Sequence, residues 1–265
     1  MARRAASLLC VEPRAHLDTL AHGIDALLTA ARGSFERPVP TCPDWSVADL
    51  VVHIGGVWGW AARIVASGKR AERPDPPHDR TDAPLLAWAR GEAELLLDTL
   101  GAADPDADCW TFGPPSTARF WFRRQALETV LHTWDAVHAI GEPEAIDPAI
   151  APAIDPAIDP AIAADGVDEH LSVILPRALR RNPGRWSGQT VHLHRTDGEG
   201  EWVVRLGPGG KVVTERAHLK ADLALRGSAE ALWLWATNRM PLDALGIEQF
   251  GDAGVAAIWS AQTPF

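Results

Sequence analysis

The chain has 265 residues, 46% of them hydrophobic and 23% charged, which is globular composition with length for one large domain or two modest ones. A formal charge of −10 and a pI near 5.4 exclude a nucleic-acid binder that relies on a general basic field. Three widely spaced cysteines (Cys10, Cys42 and Cys109) with no CxxC pair exclude a disulfide scaffold or a thiolate-rich zinc site, and they fit a reducing compartment.

The opening MARRAASLLC carries basic residues and then an apolar patch too short for a secretory signal. Cys10 leaves a lipoprotein-type signal as the alternative. No uninterrupted apolar run approaches the roughly 18 residues that span a bilayer. The expectation is a cytoplasmic protein with neither membrane nor nucleic acid as a partner.

Helical spacing of Leu17, Leu20, Ile24, Leu27 and Leu28 predicts a first helix from about Glu12 to Arg32, stopped by Gly33. The proline-rich loop RPVPTCPDW follows. Ser46 then opens SVAD, a capping box with Asp49, and predicts a second helix to about Ser67, ended by Gly68. A third helix is predicted from Thr81 or Asp82 to Gly101. A fourth follows Pro114-Pro115, with Ser116 as its cap, and ends at Gly141. Four such helices predict a four-helix bundle over residues 1–142.

Residues 143–164 carry recurring DPAI and APAI units, whose prolines predict a semi-rigid linker rather than a continuous helix. DGVDEHLSVIL then reads as a helix ending near Pro176. From Gln189 the period changes to two: TVHLHRT, EWVVRLG, KVVTERA and ADLALRG read as strands. GSAEALWLWATNR and DAGVAAIWSA read as helices. Residues 165–265 are thus predicted to form a small α+β domain with an antiparallel sheet. The arginines at 177, 180, 181 and 185 read as a solvated helix end.

On the fourth helix Trp121, Arg124, Glu128, His132, Asp135 and Ala139 fall on one stripe, opposite Leu127, Val130, Trp134 and Val137. Taken alone, that stripe reads as a solvated face, and Glu128 with His132 as a surface i,i+4 pair. The second helix adds a histidine, His53, on a face with Leu50, Gly56, Val57 and Trp60. Gly55-Gly56 beside it costs roughly 1 kcal/mol per glycine in a helix, which suggests close packing or a ligand near the backbone. If the two faces converge, His53, Glu128 and His132 form a two-histidine, one-carboxylate set suited to Zn²⁺ or another divalent first-row metal. Cys42, in the loop before that helix, reads as a buried structural thiol with no base beside it.

The segments VPTCPDWSVADLVVHIGGVWGWA and WFRRQALETVLHTWDAVHAIG resemble the mycothiol-dependent maleylpyruvate isomerase family, whose N-terminal part is a DinB-like metal-binding bundle. AADGVDEHLSVILP and ADLALRGSAEALWLWATNR resemble that family's hinge region and its sterol-carrier-like C-terminal domain. The resemblance implies metal ligands at His53, Glu128 and His132. Many relatives have a histidine directly before the glutamate, where this chain has Leu127. It also implies a divalent metal, zinc first, and mycothiol as a thiol cosubstrate acting on a small electrophile. Arg239, near a family arginine, and Arg124 are expected to meet an anionic substrate, and Asp135 to orient a ligand histidine. Isomerisation of maleylpyruvate, thiol S-transfer in biosynthesis or detoxification, and a non-catalytic metal-binding module all remain open. Oligomeric state is not readable.

Overall fold

Ser46 starts the second helix as SVAD predicts. Its Oγ accepts the Asp49 amide at 3.2 Å, and the Asp49 carboxylate accepts the Ser46 amide at 3.0 Å. Gly68 ends that helix in the left-handed conformation, φ 69°. The computed structural model describes residues 11–141 and 158–263, which divide into two units near residue 158. Cys10, the N-terminal signal question and the greater part of the predicted linker lie outside the described residues.

The N-terminal unit holds α1 (Pro13–Ala31), α2 (Val47–Ser67), α3 (Asp82–Ala102) and α4 (Arg119–Ile140). α1 packs chiefly on α4 and α2 chiefly on α3, while α2 also meets α4. Leu20, Ile24 and Leu27 of α1 are fully buried, with Leu50, Ile54 and Trp58 of α2. α3 buries one narrow stripe: Leu85, Ala89, Ala93, Leu96 and Leu100. α2 has the length and composition to cross a membrane, yet most of it is buried against its neighbours. Its apolarity serves the bundle core.

The start of α4 departs from expectation. Ser116 is not its cap; α4 begins three residues later, behind Ala118, with no side-chain cap. The intervening residues form a tight turn, in which the Phe120 and Trp121 amides reach the carbonyls of Thr117 and Ala118. α4 is also buried around most of its circumference, because α1 covers one side and α2 another. Its polar stripe is therefore inside the bundle.

The C-terminal unit opens with α5 (Pro160–Glu169), a π-helical turn (His170–Ile174) and α6 (Leu175–Arg181). Residues 160–164, expected as linker, are the first turn of α5. The Asp159 carboxylate accepts the Ala161 and Ile162 amides, and Pro160 sits where its missing N–H is no loss. Nor does the helix stop near Pro176. It widens just before it, with the Leu175 amide reaching the His170 carbonyl, so the proline is absorbed by a π turn.

Strands β1 (Gln189–Arg195), β2 (Glu201–Gly207), β3 (Lys211–Glu215), β4 (Leu223–Gly227) and β5 (Glu248–Gly251) form one sheet in the order β3-β2-β1-β4-β5. All pairs are antiparallel except β1 with β4. That parallel pair arises because the connection 216–222 crosses from edge strand β3 past β2 and β1. β5 has no signature in the sequence; its four residues are all exposed and carry no alternation. α7 (Ala229–Ala236) and α8 (Ala253–Gln262) complete the unit. Val191, Leu193, Trp202, Val204 and Leu225 are fully buried, as are Leu232 and Trp259 of the helices. The fold is thus four helices followed by an α+β unit with a mostly antiparallel sheet.

The two helix glycines divide their roles. A Cβ on Gly55 would meet Trp88 Cζ3 at 2.6 Å, whereas one on Gly56 meets nothing within 4 Å among the described residues. Gly55→Ala should destabilise the chain by about 1–3 kcal/mol in urea titration, through overpacking. Gly56→Ala should be neutral or mildly stabilising in the same assay.

Candidate metal centre

Two elements and one loop build the site. One helical turn sets Arg124, Glu128 and His132 above one another on α4, and α2 presents His53 to them. His53 Nε2 lies 3.5 Å from Glu128 Oε1, and the His53 and His132 rings meet edge to face with centroids 5.0 Å apart. One ligand atom from each of His53, Glu128 and His132 lies within 4.8 Å of the others. The stripe therefore faces α2, and the solvated-pair reading of Glu128 and His132 does not hold.

The other sides of Glu128 and His132 are also engaged. Arg124 Nε donates to Glu128 Oε2 at 3.1 Å, which leaves Oε1 toward His53. His132 Nδ1 is 2.9 Å from Asp135 Oδ2. Asp135 is fully buried and also accepts Thr41 Oγ1 at 2.5 Å. A carboxylate accepts, so His132 Nδ1 carries the proton and Nε2 keeps its lone pair for the cluster.

Charge follows the same logic. Burial is the largest single influence on Glu128 and works against its ionisation, but the Arg124 guanidinium, the His53 hydrogen bond and the two neighbouring imidazoles together outweigh it. The carboxyl is held far below its ordinary range. Burial pushes His132 down, against the bond to and the charge of Asp135, and the net position is below the ordinary histidine value. An ionised carboxylate beside a neutral imidazole is the protonation state that a divalent cation requires. The donor set of two nitrogens and one oxygen suits zinc or a similar ion, and these residues fit such a group.

The loop before α2 contributes residues that the sequence alone does not mark as part of the site. Trp45 packs on His53, with centroids 4.9 Å apart, and stacks over His132 at 6.4 Å. Thr41 holds Asp135. Cys42 is only half-buried, and its Sγ lies 3.8 Å from Asp135 Oδ2, so a carboxylate does stand beside it, contrary to expectation. Cys42, His132 and Asp135 also lie close enough to share an ion. His132 Nδ1 is already committed to Asp135, however, which leaves Nε2 for the three-residue set with His53. The PDW turn is the available signal: Asp44 adopts φ 68°, which folds the loop back over α2. Arg239 belongs to the C-terminal unit, just past α7, where its Nη1 donates to the Thr237 carbonyl.

The family model described as Mycothiol maleylpyruvate isomerase N-terminal domain matches residues 13–137, and that described as MDMPI C-terminal domain matches residues 161–257. The chain belongs to the mycothiol-dependent maleylpyruvate isomerase family. Two crystal structures share its fold: mycothiol-dependent maleylpyruvate isomerase, at 11% identity, and a histidine-to-alanine mutant of that enzyme, at 12%. Each has a TM-score of 0.59 over 90% of this chain and 93% of the other. No curated protein matches the sequence.

The depressed position of His132 has a measurable sign. The unfolded chain takes up its proton first as pH falls below the ordinary value near 6.5, so protonation pulls toward unfolding. The metal-free protein should lose stability below that pH, by up to about 1.4 kcal/mol for each unit in the window. Denaturation of the stripped chain at a series of pH values checks this, and His132→Gln should flatten the acid limb.

Proposed function

We propose that this family member is a divalent-metal-dependent enzyme that activates mycothiol for addition to a small conjugated electrophile, as in the cis–trans isomerisation of maleylpyruvate. The observation that carries the reading is the convergence of His53, Glu128 and His132 inside the bundle, with ligand atoms within 4.8 Å of one another. The family membership of both units supports it.

His53 and His132 would hold the cation through neutral ring nitrogens, and Glu128 through Oε1. A divalent cation so held lowers the pKa of a thiol beside it, making thiolate available at neutral pH. Three protein ligands leave room for that thiol. Arg124 keeps Glu128 ionised, and Asp135 fixes the tautomer and direction of His132. Trp45, packed on both histidine rings, limits water around them.

In the isomerisation, thiolate adds to one carbon of the conjugated double bond, and the electron pair moves into the adjoining carbonyl. The former double bond is now single and rotates. The pair returns, the double bond re-forms in the trans geometry and thiolate departs, so no atom is gained or lost. S-transfer shares the addition step and differs in keeping the carbon–sulfur bond. Which outcome this chain follows depends on the electrophile, and the same assay reads both.

The test is metal analysis of the purified chain with turnover of maleylpyruvate in the presence and absence of mycothiol. The expected result is bound divalent metal, thiol-dependent trans product, and, in His53→Ala, loss of that product together with one equivalent of the metal. Full turnover by His53→Ala, or an active wild-type chain free of metal, would overturn the reading. Accumulation of a thioether in place of the trans product would mark S-transfer. Asp135→Asn should keep the three ligands yet weaken metal binding about 10–100-fold, measured by competition with a chelator dye.

A further inference from the structure

The C-terminal unit carries a second convergence of metal-ligating side chains, which the chemistry above does not use. We propose that His192, His194, Glu201 and His218 form a second divalent-cation site on the sheet, of the closed zinc type.

Strand geometry places the first three. Residues two apart on a strand point to the same face, so His192 and His194 of β1 project together, away from the buried Val191 and Leu193. Glu201 of β2 is directly cross-strand from His194 and shares that face. His218 comes from the connection 216–222, which crosses the sheet from β3 to β4 and lays the imidazole over the other three groups.

The four groups point inward. The His192 and His218 rings lie 5.1 Å apart at 88°, and His194 sits 6.2 Å from each at about 80°. Glu201 Oε1 takes His194 Nδ1 at 2.7 Å; Oε2 takes His218 Nδ1 at 2.7 Å and lies 3.6 Å from His192 Nε2. One ligand atom from each of the four lies within 4.8 Å of the rest.

A hydrogen-bond network alone leaves this cluster incomplete. His192 Nε2 is buried and has no hydrogen-bond partner among the described residues. Such an orphaned buried nitrogen is costly, and a cation among the four groups would satisfy it. Three imidazoles and one carboxylate match the donor preference of zinc, and four protein ligands complete a tetrahedron. The site therefore holds an ion rather than activating a bound molecule. An open groove of about 600 Å³, lined by His192, His194 and His218, gives the ion access. Bound there, the cation would staple the 216–222 crossover to the β1–β2 hairpin.

The test is Zn²⁺ stoichiometry by equilibrium dialysis on the stripped, tag-free full-length chain. His218→Ala is the informative variant, since that side chain is 76% exposed and its loss leaves the core intact. It should lower the bound zinc by one equivalent, as should His194→Ala, with circular dichroism unchanged. The His53→Ala chain should keep the equivalent that His218→Ala removes, and zinc should raise its melting temperature. This separates the two sites: failure of the bundle site leaves a chain whose single zinc still depends on His218. Equal zinc binding by wild type and His218→Ala, or no zinc bound by His53→Ala, would overturn the second site.

Discussion

Burying the carboxylate of Glu128 constrains the N-terminal unit more than any other single feature. A carboxylate taken out of water needs compensating charge and hydrogen bonds, or it loses its ionisation. Arg124 supplies the charge from the turn before, on the same helix. His53 supplies a partner from α2, which requires α2 and α4 to pack with those faces together. His132 needs Asp135, and Asp135 needs Thr41 from the loop. The proline-rich loop, the capping box behind it and the polar stripe of α4 are thus parts of one chain of satisfied groups. Removing any member takes a hydrogen bond or an ion pair from a polar group inside the bundle, and that group is where damage would begin.

Much of this is legible because helices repeat. Period 3.6 marks the four helices, the capping box marks one terminus to the residue, and one-turn spacing puts Arg124, Glu128 and His132 in line. What a single helix cannot reveal is which of its faces meets water. α4 looks amphipathic on paper, with a polar stripe that would suit a surface. It is buried on both sides because α1 and α2 enclose it, and that is decided by residues far along the chain. The family resemblance supplies this missing long-range information, and the geometry agrees with it. Proline misleads in two places for a similar reason. Pro160 is harmless at a first helical position, and Pro176 is absorbed by a widened turn, and both depend on local hydrogen bonds that composition does not display.

The two clusters reach similar donor sets by different means. In the bundle, ligands come from one-turn spacing on one helix and a single residue on another. In the sheet, they come from alternation on one strand, a cross-strand pair and a crossing loop. TVHLHRT shows only alternation, since nothing near it in sequence announces that Glu201 and His218 will join it. Glu201 is hidden at a strand end, and His218 in a loop. Three donors in the bundle cluster would leave a bound cation room for a substrate. Four in the sheet cluster would not.

The cap of α5 carries one further implication. Asp159 and Pro160 open the helix, and they belong to the last of the tandem four-residue units. The unit just before it, Asp155-Pro156-Ala157-Ile158, has the same two residues in the same order. Loss of one whole unit would therefore still leave an aspartate and a proline at the helix start, whereas the unit at 151–154 begins with alanine. That duplication lets the tract lose one unit while the C-terminal unit begins on the same signal, a tolerance that a cap drawn from unique sequence would not provide.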